Sequence, residues 1–265
     1  MKRLPILALL LLLIAVGATV LTRFSTSVSA EDFRMETDVF AGTDANPIVE
    51  TLTIFRGQVI YDFMSSEGEE ITIFNIPRGT LVLLDTRRKL KTTITTSQLM
   101  AFTAAVKSGP APMNQGRLLA PQFQEKYDAA SQVLTLSDVQ LTYRVEGIKP
   151  QHPDYAKRFQ LFADWYARLN ATRVGNPPPF GRIELNQSLA KRGLIPAQIE
   201  RTVGPATSPE QQKKMRSRHL TNWQLTDTDR KRIHRAEEYR KHFQEVTADR
   251  YWQTASMPSG TPATD

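Results

Sequence analysis

Histidine and carboxylate are the chemically active side chains this sequence offers, and one segment brings them together. His234, Glu238 and His242 fall at i, i+4 and i+8, so a helix would carry them on one face with some drift. Imidazole with carboxylate suits a divalent cation. The same segment carries Arg235, Arg240 and Lys241, and it reads more simply as a solvated face laced with i,i+4 ion pairs. No third strong ligand at a known spacing completes a metal set. The other histidines, His152 and His219, sit in no signature.

Other reactive constellations are missing. There is no cysteine, hence no thiol nucleophile, no disulfide and no Cys-based zinc or iron–sulfur site. Gly-x-Ser-x-Gly, the elbow that exposes a nucleophilic serine, does not occur. Neither do the glycine-rich phosphate cradles, His-Glu-x-x-His or EF-hand spacing. Glu69 and Glu70 adjoin a hairpin loop and read as charged loop residues, although paired glycosidase carboxylates have no fixed spacing in sequence.

Lys213 to Arg218, with Arg230 to Arg235, could meet anionic headgroups, polysaccharide or nucleic acid. Asp227, Asp229, Glu237 and Glu238 interleave with them, and a surface helix bearing both signs accounts for the pattern. Trp165, Trp223 and Trp252 are scattered, as core or interface anchors are.

The elements that would position these groups fall into two regions. Residues 31–48 are polar and mixed and read as a lead-in. From 49 to 96, five short runs rich in β-branched and aromatic residues alternate with turns containing Gly, Pro, Asn or Asp. Such short connections predict an antiparallel meander. Ser97 to Val106 predicts a helix stopped by Ser108-Gly109-Pro110, and Pro121 to Ala130 another, with Phe123 and Tyr127 four apart. Val133 to Val145 predicts a hairpin turning at Ser137-Asp138.

Beyond Pro150 the pattern becomes helical. His152-Pro153-Asp154 opens a helix whose apolar stripe is Tyr155, Phe159, Phe162, Tyr166 and Leu169, spaced 4, 3, 4, 3. Pro177-Pro178-Pro179 follows as an extended linker. Ile183 to Arg192, ending at Gly193, and Pro196 to Val203 read as two short helices. Ser208-Pro209-Glu210-Gln211 reads as a capping-box start, and Thr226 to Asp229 as another helix start leading into 230–246. Residues 251–265 read as a disordered tail.

The first thirty residues resemble an export segment. Lys2 and Arg3 precede an uncharged run from Leu4 to Thr22, with five leucines at Leu9 to Leu13. Val16-Gly17-Ala18 and Val28-Ser29-Ala30 are small-residue cleavage sites, the second favoured. The 19-residue run is also long enough to remain as a membrane anchor, with the body outside. Without Lys2, Arg3 and Arg23, 31 basic residues stand against 27 acidic ones, a net +4 too mild to argue for nucleic acid.

Two resemblances follow from particular stretches. Ile71-Thr72-Ile73-Phe74, Pro77-Arg78-Gly79, Leu83-Leu84-Asp85 and Arg88-Lys89 resemble exported bacterial proteins of unknown function that recur in the Planctomycetes. Phe162-Ala163-Asp164-Trp165, Leu169 to Arg173 and Ser217-Arg218-His219-Leu220 share that resemblance, which implies no activity and no site residues. In plan, a signal followed by a meander with helices laid on it is similar to Lol-type lipoprotein-carrier folds, which bind acyl chains in a half-barrel.

The sequence therefore predicts an α+β protein: an antiparallel meander, curved or half-barrel, packed with a helical C-terminal half. Its regions are an export segment (1–30), a β-meander with inserted helices (31–149), a helical region (150–250) and a tail (251–265). The expected role is a binding or carrier module of the cell envelope, exported or anchored through residues 4–22, for an apolar ligand or an envelope protein partner. No residue receives a catalytic, cofactor or metal role, and no nucleic acid partner is expected. A membrane-anchored adaptor and an envelope hydrolase with an unfamiliar site are the alternatives.

Overall fold

Side chains that alternate between two faces build the centre of the molecule. The computed structural model describes residues 32–65, 70–109, 116–173, 175–205 and 207–255. The expected export segment (1–30) and the last ten residues of the expected tail lie outside them. The meander is β2 (Val49–Arg56), β3 (Val59–Ser65), β4 (Glu70–Asn75), β5 (Thr80–Asp85) and β6 (Leu90–Thr95), with β1 (Phe33–Ala41) before it. Neighbouring registers align Phe55, Ile60, Phe74, Leu81 and Ile94 in one cross-strand row on what we term the inner face. Ile54, Tyr61, Ile73 and Val82 form the matching row on the outer face. Gly57 and Gln58 alone join Arg56 to Val59, and Gly57 takes φ +53°, the left-handed backbone that two-residue hairpins favour.

The rest of the sheet contains β7 (Gln124–Asp128), β8 (Val133–Ser137), β9 (Leu141–Ile148), β10 (Ile195–Val203), β11 (Lys213–Asn222) and β12 (Gln244–Glu245). The strand order is β12-β6-β5-β4-β3-β2-β1-β11-β10-β9-β8-β7. Every pairing is antiparallel except β12 with β6.

Four sequence expectations are corrected here. The lead-in at 31–48 contains β1, a central strand bonded to both β2 and β11. The helix expected at Pro121 to Ala130 is β7, an exposed edge strand on β8. The helix expected at Pro196 to Val203 is β10, bonded to β9 and β11. After Ser208 a single 3-10 turn, Pro209–Gln211, leads into β11 rather than into a helix. In each case long-range pairing overrides a weak local preference, and the region 150–250 supplies two strands to the sheet interior.

The predicted helices that remain are α1 (Thr96–Ser108), α3 (Pro153–Ala171), α4 (Phe180–Lys191) and α5 (Asp227–His242). A short α2 (Gly116–Leu119) precedes β7, and α6 (Ala248–Ala255) occupies the first residues of the expected tail. Thr95 caps α1 in a reciprocal pair with Gln98, and Thr226 caps α5 with Asp229 in the same manner. Gly193, at φ +65°, follows α4 in the left-handed conformation common just beyond a helix end.

Helices cover both faces. On the inner face α1, α3 and α6 pack Leu99, Tyr155, Phe159, Phe162, Leu169 and Tyr251 against the Phe55–Leu81 row. Further along that face, α4 sets Leu185 and Leu189 against Leu134, Leu136 and Val145. On the outer face α5 sets Ile233 and Ala236 against Ile54, Phe63 and Ile73. The space between α3 and the sheet, where a carrier would hold an acyl chain, is filled by the protein's own rings. Phe33 stacks on Phe55 at 4.1 Å, and Tyr155 stacks on Trp223 at 5.4 Å. Among the described residues no helix is long and apolar enough to cross a membrane.

Candidate functional site

Ionisable residues that point inward along an otherwise apolar face mark the places where this sheet departs from plain packing. The first is Asp62 on β3. Its cross-strand partners are Thr53 and Thr72, so three polar side chains form a row only 2–4% exposed. Thr53 Oγ1 donates to Asp62 Oδ1 at 2.6 Å, and the hydroxyl of Tyr166 on α3 bonds the same carboxyl. Burial raises the Asp62 carboxyl to about 6 against these two donors. The Tyr166 phenol is pushed well up by burial and by the facing Asp62. Beside this row Arg173 pairs with Glu70, and its guanidinium lies 5.1 Å from the Trp252 ring.

The second departure spans β9, β10, β11 and β1. Arg201 stands opposite Tyr143 in the β9–β10 register, and its side chain bonds the Tyr143 hydroxyl. On β11, His219 faces Thr37 of β1. The His219 ring is held at both nitrogens, with Thr37 Oγ1 3.0 Å from Nδ1 and Ser217 Oγ 2.9 Å from Nε2. The residue keeps partial solvent exposure, yet burial by its dense surroundings, with the nearby Arg182 charge, lowers its pKa to about 3. The imidazole is neutral at any physiological pH.

Arg182, in the first turn of α4, joins that cluster from above. Its Nε donates to Asn186 Oδ1 at 3.0 Å, and Asn186 Nδ2 donates to Asp164 Oδ1 at 2.9 Å. Burial raises the Asp164 carboxyl above its usual range. Burial also lowers Arg182, and the neighbouring Arg201 charge adds to that. The cluster thus holds two guanidinium groups and one carboxyl that burial biases toward its neutral form.

The third feature is a cleft of about 740 Å³ between α1, α2, α4 and the start of β7. Met100 and Ala104 of α1, Leu119 of α2, and Phe180 and Ile183 of α4 give it apolar walls. Lys107, Arg168 and Lys191 place cations around it. Of its two acids, Glu125 is engaged by Ser188 and Arg192, and these hydrogen bonds, that from Ser188 foremost, lower its pKa. Glu184 is raised by burial and by Glu125.

The residues singled out in the sequence lie elsewhere. Glu238 is paired with Lys241 at 2.7 Å, and His242 Nδ1 lies 2.9 Å from the Glu238 carbonyl oxygen, so that helix face carries local pairs. Among the described residues no group of three or more potential metal ligands converges. The basic run at 213–218 is a strand, so its charges divide between faces. Arg216 and Arg218 lie over Phe40 on the outer face, at 4.6 and 4.9 Å from its ring. His152 caps α3, accepting from the Asp154 amide at 3.3 Å. Of the four histidines only His219 faces the sheet interior.

Asp62, Tyr143, Asp164, Arg182 and Arg201 had no motif to announce them. Their signal is positional. Asp62 lies between Ile60 and Met64, and Arg201 between Ile199 and Val203, on the inward side of the alternation. No protein-family model matches the chain, and no curated protein matches it either.

Proposed function

We propose that the chain is an exported, non-enzymatic binding or carrier module of the cell envelope, and that its ligand occupies the cleft between α1, α2 and α4. The observation that carries this reading is the composition of that cleft. Its volume of about 740 Å³ falls within the range of small-molecule sites, which are largely apolar with a few polar groups that orient the ligand. Met100, Leu119, Phe180 and Ile183 suit an apolar body, and Lys107, Arg168 and Lys191 suit an anionic end. With Glu125 engaged by Arg192, positive charge predominates there. An amphipathic anion, an acyl chain with a carboxylate or phosphate head, fits that combination. The expected export segment at 1–30 supports the same reading.

The test is mass spectrometry under native conditions on protein extracted from the cell envelope, paired with binding of a fluorescent fatty acid. The expected result is a mature N-terminus near Glu31, a co-purifying amphiphile, and probe binding lost in Ile183→Asp. Probe binding unchanged by that substitution would remove the cleft from the proposal.

An envelope hydrolase has one observation in its favour, the 2.9 Å contact between Ser217 Oγ and His219 Nε2. No carboxylate orients that ring, because Thr37 occupies Nδ1, and a serine nucleophile depends on such an orienting group.

A further inference from the structure

We propose a second binding site, for a phosphoryl oxyanion, on the inner face of the β9–β10–β11 ladder, with Arg182 and Arg201 beside Tyr143 on one side and Ser217 and His219 on the other. It is separate from the α1–α4 cleft, which lies against other residues of α4.

Four elements converge there. Arg201 and Tyr143 are direct cross-strand neighbours, and Ser217 is diagonal to Arg201 because Met215 stands opposite it. The first turn of α4 sits directly on this ladder. A Cβ placed on Gly181 would approach Leu141 Cδ2 to 2.6 Å and Tyr143 Cε2 to 3.5 Å, so glycine lets the helix reach the strand and brings Arg182 with it.

The charge of this cluster is not balanced from within. Among the described residues no carboxylate lies within ion-pair distance of Arg182 or Arg201, although twelve other such pairs occur. Asp164 is the acid in electrostatic reach of Arg182, and it is occupied by Asn186 at 2.9 Å and Gln160 at 3.5 Å. Arg201 Nε is shielded from solvent and makes no hydrogen bond. Two guanidinium groups in a poorly solvated site, one with an unused donor, are destabilising by themselves and become favourable when an anion bridges them.

The site is also reachable. Thr37, Arg182, Arg201, Ser217 and His219 all keep partial solvent exposure even though they lie on the helix-covered face. A planar fork from each arginine matches the oxygens of phosphate, whereas a lysine would supply a point charge. His219, neutral and anchored by two hydroxyls, adds hydrogen-bonding capacity without a third repelling charge. The anion is either free phosphate or the head of a phosphate ester; the chemistry recognised is shared.

The experiment is thermal unfolding and calorimetric titration of the full chain with inorganic phosphate, at ionic strength held constant with chloride. The expected result is a saturable rise in melting temperature and a binding isotherm for the wild type. Arg201→Gln weakens binding by about tenfold or more, and Arg201→Lys, which keeps the charge and the fold, weakens it severalfold. Arg216→Gln on the outer face and Met100→Asp on the α1 wall of the cleft leave phosphate binding unchanged, which separates this site from the one proposed above. Dihexanoyl phosphatidate in place of phosphate identifies the source: tighter binding that Arg201→Lys weakens assigns a lipid headgroup, and weaker or equal binding assigns the free ion. A wild-type response no larger than that of chloride, or one retained in both Arg201 variants, overturns the proposal.

Discussion

Thr53 and Asp62 face each other across β2 and β3, joined by a 2.6 Å hydrogen bond, and the Tyr166 hydroxyl bonds the same carboxyl. The carboxyl has been taken out of water and given two donors, and the burial outweighs the donors. Its pKa is about 6 in the folded chain against 3.8 for the free group. Between those values the native state binds more protons than the unfolded one, so the contribution of Asp62 to stability falls as pH rises from about 4 to about 6 and stays low above that. For a shift of about two units the swing is about 3 kcal/mol. In Asp62→Asn, chemical denaturation should show the difference in unfolding free energy between variant and wild type growing by that amount from pH 4 to pH 8. A constant difference would mean that Asp62 is not raised.

His219 acts in the opposite direction. Its folded pKa of about 3 lies below the free value of 6.5, so its contribution is fully present above pH 6.5 and is lost as pH falls toward 3. Between about pH 4 and 6 the two groups oppose each other, and the wild type should show a shallow pH dependence there. His219→Gln keeps a hydrogen-bonding side chain and removes the titration, so its stability should fall less on acidification than that of the wild type. Melting temperatures at pH 4.5 and 7.5 for the two single variants should move in opposite senses; movement in the same sense would refute the pairing.

At the start of α5, Asp229 closes the capping pair with Thr226 and also receives Arg34 Nη1 at 2.9 Å, tying the outer-face helix to β1. Burial raises this carboxyl, and the hydrogen bonds from Thr226 and Arg34 outweigh it and leave it lowered. Thr226→Ala should cost about 1 kcal/mol through the lost cap. Asp229→Ala should cost more, because it also removes the buried one of the two carboxylates that hold Arg34, leaving Glu36 alone. Equal effects in urea unfolding would show that the Arg34 contact contributes nothing.

The stacked rings under α3 have the character of a sealed core. Phe33→Ala removes a ring in contact with Phe55, Tyr155 and Trp223, and the cavity should lower stability by about 3–5 kcal/mol. Phosphate binding at Arg201 should survive it at temperatures where the variant is folded. If Phe33→Ala gained stability from an added acyl chain and the wild type did not, the filled space would be a closed form of a lipid chamber.

What the sequence revealed and what it hid have the same cause. Between 49 and 96 both faces are covered by helices, so both rows are apolar or β-branched, and short turns mark the strand ends. The stripe of α3 is visible because one side packs on rings while Lys157 and Leu161 face out. β11 was hidden because its inward residues, Met215, Ser217 and His219, line the polar end of the inner face and leave little hydrophobic alternation to read. β10 was hidden by Pro196 and the irregularity that follows it. β1 does alternate, with Phe33, Met35 and Val39 against Arg34, Glu36 and Asp38, but Thr37 interrupts the inward row and three charged residues precede Phe40 on the outward one, so it reads as polar. The arginine cluster was beyond reach because its members become neighbours only when strands and a helix distant in sequence meet.

The pairing of β1 with β11 has a consequence for how the chain matures. Thr37 and His219 are 182 residues apart, yet their strands form the middle of the sheet. The meander can assemble from local hairpins as it emerges, while one edge of β1 stays unsatisfied until almost everything else has been made. Closing so distant a pair is slow, and the waiting edge is a template for other strands. A polypeptide wired in this way remains threadable for most of its synthesis and locks late, when its eleventh strand arrives.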